Sequence, residues 1–229
     1  MPGKLFIILG AGASVDSHLP TYRGAQGLYN GTQPEDILCP EVLYLKPNGV
    51  HDIWQMLRPL YQSIAETKPG PTYAALKSIV DENSVILTQN IDGLARTISD
   101  NVIEIHGNWR TMRCISCHHI QPVNPERYLC DCGGYCRPHI ILFGESLDRS
   151  QVHEVYTKIK WNVNYVLVIG TSLQFPYLRE FIGKAKCHGA KVIHINPDDD
   201  YGSNVLSNEE WIKLPARQGI EQFSSRIVS

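Results

Sequence analysis

With 229 residues, 43% of them apolar and 19% charged, the chain is long enough for one large core or a main domain with a smaller insert, and too apolar for a disordered segment. A formal net charge of −2 with scattered lysines and arginines offers no basic stripe, so direct nucleic-acid binding is not expected. The longest apolar runs, such as Tyr165 to Ile169, fall far short of the about 20 residues that cross a bilayer, so no membrane contact is expected either.

In chain order, Leu5 to Leu9 is too short for a secretory core and runs straight into a glycine turn, which makes it the first expected core strand. Further short apolar runs follow at Ser84–Thr88, Val102–Ile105, His139–Phe143, Tyr165–Ile169 and Lys191–Ile195, each of the kind that is buried on both faces. Between them lie stretches of helical period at Val50–Glu66, Thr72–Val80, Gln151–Trp161 and Leu178–His188. Such alternation predicts an α/β fold with a doubly wound parallel sheet whose carboxyl edge carries the ligand. Two segments break the alternation. Gly31–Gly49 reads as a loop entering a helical module, and Trp109–Arg137 reads as a cysteine-bearing insert too small to fold without a staple.

Chemistry-bearing residues collect at the expected strand ends. Gly10-Ala11-Gly12-Ala13-Ser14 follows the first strand and would let backbone approach a pyrophosphate at a helix N-terminus. With Val15 where a third glycine normally stands, a plain strand-to-helix turn is the alternative. Thr88-Gln89-Asn90-Ile91-Asp92-Gly93 is either a polar ligand edge or a helix cap with an easing glycine. His106-Gly107 ends another strand and could serve as a general base near neutral pH or as an ordinary cap. Gly170-Thr171-Ser172 and Asn196-Pro197-Asp198 end two later strands, with small and polar groups suited to phosphate, ribose or adenine.

Seven cysteines, five of them between positions 114 and 136, favour reduced thiols around a metal over disulfides. Cys114 and Cys117 have zinc-ligand spacing. Cys130, Cys132 and Cys136 then compete for two places; the Gly133-Gly134 pair suits a knuckle after Cys132, so Cys130 and Cys132 are favoured and Cys136 is held in reserve as a buried thiol. A cytoplasmic (or nuclear) monomer is the expectation.

Taken in order, Gly10-Ala-Gly-Ala-Ser14, Leu19-Pro-Thr-Tyr-Arg-Gly24, Thr88-Gln-Asn-Ile-Asp-Gly-Leu94, Glu104-Ile-His-Gly107, the cysteine pairs, Arg137-Pro-His-Ile-Ile-Leu-Phe-Gly-Glu145, Gly170-Thr-Ser-Leu173 and Ile195-Asn-Pro197 resemble the sirtuins over nearly the whole chain. The resemblance implies an NAD-dependent protein lysine deacylase acting on acylated-lysine proteins. It implies a Rossmann-like domain (1–30, 84–108 and 138–229) with a smaller domain made of a helical module (31–83) and a zinc module (109–137). By matched positions, Gly10, Ala11, Gly12 and Ser14 would contact the NAD phosphates and ribose, and Tyr22 and Arg23 would sit in the closing loop. Gln89 would hold the nicotinamide-side ribose, Asn90, Ile91 and Asp92 would build the nicotinamide pocket, and Gly170, Thr171, Ser172, Asn196, Pro197 and Asp198 would serve the adenosine end. His106 would be the base that takes a proton from a ribose hydroxyl, an ordinary imidazole near 6.5 sufficing. The products implied are nicotinamide, free lysine and O-acyl-ADP-ribose.

Several positions depart from the family pattern. Loop sites usually Gly and Phe are His18 and Tyr22, and the usual Trp of the R-P-H string is Leu142. These changes motivate an alternative of ADP-ribosyl transfer or NAD hydrolysis on the same fold. Where acidic-acyl deacylases carry a Tyr-x-x-Arg pair, this chain has Trp54 and Leu57, with Arg58 one residue off and so turned about 100° around the helix. An uncharged acyl group is therefore expected.

Overall fold

A computed structural model of the protein describes residues 4–19, 34–160 and 162–228. Among these the strands are β1 (Lys4–Leu9), β2 (Val85–Thr88), β3 (Val102–Glu104), β4 (Gly107–Cys114), β5 (Ile120–Pro122), β6 (Cys136–Ile140), β7 (Val163–Ile169), β8 (Lys191–Ile195) and β9 (Glu210–Ile212). The α-helices are α1 (Pro40–Leu45), α2 (Gly49–Glu66), α3 (Pro71–Ile79), α4 (Arg149–Ile159), α5 (Pro176–Cys187) and α6 (Ala216–Val228).

Six strands form one parallel sheet in the order β3-β2-β1-β7-β8-β9. With β4 to β6 set aside, this is the 3-2-1-4-5-6 order of dinucleotide-binding sheets, and the order reverses between β1 and β7. Alternate residues of a strand face opposite sides. Leu5, Ile7 and Leu9 accordingly share a core with Tyr73 and Leu76 of α3 and Ile220 and Phe223 of α6, while Phe6 and Ile8 share another with Val155 of α4 and Phe181 of α5. Burial on both faces explains why β1 reads as an unbroken apolar run.

The remaining strands make an antiparallel sheet in the order β5-β4-β6. Helix α2 locks onto it through Trp54, which is fully buried, donates Nε1–H to the Cys136 carbonyl at 2.8 Å and stacks on Tyr128 at 5.8 Å. Burial of such a ring contributes about 2 to 3 kcal/mol, and the indole hydrogen bond leaves no orphan donor inside. On the neighbouring turn, Arg58 pairs with Glu126 at 3.2 Å and donates to the Pro125 carbonyl.

The apolar run His139–Phe143 does not join the parallel sheet. Its first residues end β6, and the rest turns into a loop in which Ile141 N–H donates to the His106 carbonyl and Phe143 N–H to that of Leu38. The Arg137–Glu145 pair closes this loop: Arg137 donates to both carboxylate oxygens and to the Ile140 carbonyl, and Glu145 also accepts from Leu142 N–H. The R-P-H-x-x-x-F-G-E string thus encodes a half-buried, ion-paired loop. Helix α1 lies inside the segment expected as a loop, and α6 and β9 lie outside the elements expected from sequence.

Candidate active site

The cavity lies where the strand order reverses, with a volume of about 1210 Å³. Its floor is backbone: a Cβ on Gly10 would lie 2.6 Å from the Gly170 carbonyl oxygen, and one on Gly12 would lie 2.7 Å from Gly170 Cα, so neither position admits a side chain. Gly10 N–H donates to Ile169, Gly12 N–H to Gly170 and Ala13 N–H to Gly10, all through carbonyls. The following element, Ala11–Ser17, is a 3-10 turn rather than an α-helix. The loop therefore offers a ligand fewer free amides than a helix N-terminus would, because two seal β1 against the end of β7 and a third closes the turn on Gly10.

Gly10, Ala11, Gly12, Gln89, Asn90 and Ile91 all line this cavity, as do His106, Gly170, Thr171 and Ser172. Asn196, Pro197 and Asp198 line it from the end of β8. Gln89 is fixed by donating Nε2–H to Thr171 Oγ1 at 2.9 Å. Asn196 Nδ2 reaches the Thr171 carbonyl at 3.3 Å and its Oδ1 accepts from Asp198 N–H at 3.0 Å, so its side chain also braces the rim. Tyr22 and Arg23 lie outside the described residues.

Ser14 and Asp92 stand just behind the cavity wall. The single Ser14 proton goes to Asp92 Oδ2 at 2.6 Å, and the Ser14 lone pairs then take Tyr73 O–H at 2.9 Å and Asn90 Nδ2–H at 3.2 Å. Asp92 Oδ1 accepts from Leu94 N–H at 2.9 Å, a local turn bond, while the N-cap position of the following 3-10 turn falls to Gly93. Burial raises the Asp92 carboxyl above the ordinary range, against the lowering effect of Ser14 and Leu94. Asn90 donates its other Nδ2–H to the Gly10 carbonyl at 3.0 Å, which fixes the amide orientation and leaves Oδ1 buried without a partner among the described residues. An unpartnered buried acceptor on a cavity wall fits a ligand that brings its own N–H or O–H. Tyr73, deep in α3, gave no sequence signal beyond that of a core aromatic.

His106 is half-buried, its ring edge-on to Phe175 at 5.4 Å and to Tyr177 at 6.1 Å. Nδ1 faces the Gln89 carbonyl at 3.0 Å, an acceptor only, so Nδ1 carries the proton and Nε2 the basic lone pair. Nε2 meets Tyr177 O–H at 2.6 Å. Burial pushes His106 down to about 4, with the Gln89 carbonyl acting in the opposite direction. The expectation of an untuned imidazole near 6.5 is therefore corrected: the ring is a firmly neutral base at physiological pH. Phe175 and Tyr177 were missed by sequence reasoning, although they begin α5 at the carboxyl end of β7, where ligand-facing groups belong.

Cys114, Cys117, Cys130 and Cys132 bring their four sulfurs within 4.8 Å of one another. Cys114 to Cys132 is 3.5 Å and Cys117 to Cys130 is 3.6 Å, close to the about 3.8 Å edges of a thiolate tetrahedron built on zinc–sulfur bonds of about 2.3 Å. N–H groups of Cys117 and Ser116 point at Cys114 Sγ and hold its thiol down at about 6, as a metal ligand requires. Cys136 stays out of the group as a fully buried thiol. None of these cysteines lines the cavity.

The Sir2 family model matches residues 10–176. The chain belongs to the Sir2 family. A protein from Aquifex aeolicus named NAD-dependent protein deacylase is 34% identical over 205 residues, covering 86% of this chain and 84% of the relative. One from Pseudomonas aeruginosa named NAD-dependent protein deacylase 2 is 32% identical over 230 residues, covering 93% and 88%. Among solved structures, a point mutant of a Sir2 homologue in complex with ADP-ribose superposes with a TM-score of 0.83 at 26% identity, covering 98% of this chain and 92% of that one. The Sir2 relationship accounts for the glycine-sealed floor, the strand-end polar groups and the four-thiol cluster together.

Proposed function

We propose that this Sir2-family chain is an NAD-dependent protein deacylase that removes acetyl or another uncharged acyl group from lysine, giving nicotinamide and O-acyl-ADP-ribose. The observation that carries this reading is the convergence on one cavity of the unpartnered Asn90 acceptor and the neutral base His106. The residues fit NAD, because the cavity is large enough for a dinucleotide and sits at the switch point where such ligands bind. When bound, NAD supplies a glycosidic bond to nicotinamide and, once that bond is cut, a ribose carbon for the acyl oxygen.

In this reading the chain's own groups divide the work. Asn90 and Asp92, with Ile91 between them, bind the nicotinamide end and orient it, and Ser14 keeps both side chains in register. Gln89 positions the adjoining ribose. Gly10, Ala11, Gly12, Gly170, Thr171 and Ser172 approach the phosphates, and Asn196, Pro197 and Asp198 face the adenosine end. His106 removes a ribose proton toward Nε2 while Gln89 holds its Nδ1–H, so that the ring accumulates positive charge only at that moment. Phe175, edge-on to the imidazole, covers one side of the base. Cys114, Cys117, Cys130 and Cys132 hold a structural zinc that ties β4 to the insert.

We also assign 1–30, 84–108 and 138–229 to the cofactor-binding domain, 31–83 to the helical module and 109–137 to the zinc module. The test of function is mass spectrometry of products from NAD with a panel of acyl-lysine peptides. Nicotinamide and deacylated peptide, lost in His106→Ala, are expected; ADP-ribose formed at the same rate without peptide would instead mark the chain as a hydrolase or transferase.

A further inference from the structure

The basic nitrogen of His106, at the wall of the cavity, faces a phenol. Tyr177 O–H stands at 2.6 Å from Nε2, and because Nδ1 already carries the imidazole proton, Tyr177 must be the donor. The Tyr177 ring is held on several sides. It stacks on Phe175 at 5.7 Å and 20°, tilts onto the fully buried Phe181 at 5.8 Å and crosses the His106 ring at 85°. It also follows Pro176, whose ring fixes the backbone at the start of α5. Swinging the phenol off Nε2 would forfeit these contacts, whereas a proton passing through it forfeits none.

The phenol has the valence for such a passage. Its one proton is committed to Nε2, its two lone pairs meet no donor among the described residues, and Tyr177 lines the cavity. Burial keeps the group protonated.

Resting on the deacylase reading, the geometry points to Tyr177 as a catalytic proton relay that connects a hydroxyl of the cofactor ribose to His106. As the ribose O–H bond breaks, its proton forms a new O–H bond on Tyr177 Oη, while the original Tyr177 proton leaves for His106 Nε2. The ribose oxygen keeps the electron pair with which it attacks the acyl carbon, His106 becomes the cation, and Tyr177 ends as it began. Concerted transfer avoids a phenolate, which burial disfavours. His106 is thus the proton's destination, and Tyr177 is the group that meets the substrate.

The test has an arm that needs no turnover. In cofactor-free protein, NMR titration of His106 is compared between native enzyme and Tyr177→Phe. Losing a donor to Nε2 removes support for the neutral ring, so the His106 pKa should rise; an unchanged value would overturn the contact. In the second arm, Tyr177→Phe should keep peptide-dependent nicotinamide exchange within about twofold while deacylation falls by about tenfold or more. Deacylation within about twofold of native would show that His106 reaches the hydroxyl unaided and would overturn the relay. Should the Phe variant not fold, fluorinated tyrosine at position 177 preserves shape and changes only phenol acidity. Deacylation that tracks that acidity supports the relay, and an identical rate refutes it. Native enzyme that yields no deacylated peptide would sink the deacylase reading, and the relay with it, while the NMR arm still judges the Tyr177–His106 contact.

Discussion

Ser14 gives its only proton to Asp92 across 78 positions of sequence, at 2.6 Å, and so joins the loop after β1 to the loop after β2. The carboxylate it serves is an unfavourable group for the fold. Its pKa is raised by burial above 3.8, so the folded state holds the Asp92 proton more tightly than the unfolded chain does. This contribution favours folding in acid and is lost as pH rises through the folded value. Asp92→Asn removes the buried charge and keeps the shape. Its melting temperature at pH 7 should equal or exceed that of the native protein, with the advantage disappearing below pH 3.8, while nicotinamide exchange falls by about tenfold or more. A lower melting temperature at pH 7 would mean that the carboxylate stabilises the fold.

For His106 the sign is reversed. Its folded value of about 4 lies below the ordinary 6.5, so between those two pH values the unfolded chain takes up a proton that the folded chain refuses. The stability contributed by the neutral ring is present above 6.5 and lost as pH falls through the window toward 4. Native protein should therefore lose stability in that window faster than His106→Gln, as followed by urea denaturation at stepped pH. The acid limb of deacylation kcat/KM should lie near 4 as well; a limb at 6.5 would indicate a solvated imidazole.

Metal content separates Cys132 from Cys136, two of the three cysteines that sequence left competing for two places. Cys132 lies in the sulfur cluster and Cys136 does not. Cys132→Ser should lose zinc by elemental analysis and lower the melting temperature. Cys136→Ser should retain the metal and lose about 1 to 2 kcal/mol for a hydroxyl placed in a fully buried site. Zinc loss in Cys136→Ser would reverse the ligand assignment.

His18 carries a backbone cost that a glycine at the same position would avoid. It caps the Ala11–Ser17 turn at φ 63°, in the left-handed region where a Cβ crowds the carbonyl. His18→Gly should raise unfolding free energy by about 0.5 to 1 kcal/mol, the released strain being partly offset by greater chain entropy in the unfolded state. A loss of stability on denaturant unfolding would show that the imidazole has a compensating contact.

Legibility in the sequence followed the range of the signal. Strands β1, β2, β7 and β8 are buried on both faces and announced themselves as apolar runs, and α2 to α5 came from period alone. The run at 139–143 misled because a loop buried under the cavity is as apolar as a strand. What decides its course is the Arg137–Glu145 pair, a side-chain relationship that no backbone propensity records. At the site, Asn90, Asp92 and His106 stood in short strings at strand ends. Tyr73 and Tyr177 did not, since an aromatic in a helix is usually core, and only the fold reveals that their hydroxyls meet Ser14 and His106.

Acyl preference turns on α2. Leu57 is nearly fully buried and lines the cavity, whereas Arg58 points away to Glu126 and Pro125 in the zinc module. A succinyl or malonyl carboxylate entering beside Leu57 would lose its hydration with no cation among the described cavity-lining residues to meet it, a cost of several kcal/mol. Arg58→Ala should therefore leave the ratio of acetyl to succinyl kcat/KM within about twofold, and should cost at most about 1 kcal/mol of stability because the ion pair is largely exposed on the Glu126 side. Leu57→Arg is the converse experiment. If a guanidinium there raises desuccinylation relative to deacetylation, the apolar wall at Leu57 is what excludes acidic acyl groups; if Arg58→Ala alone abolishes desuccinylation by an enzyme that has it, the assignment of Arg58 to the module interface is wrong.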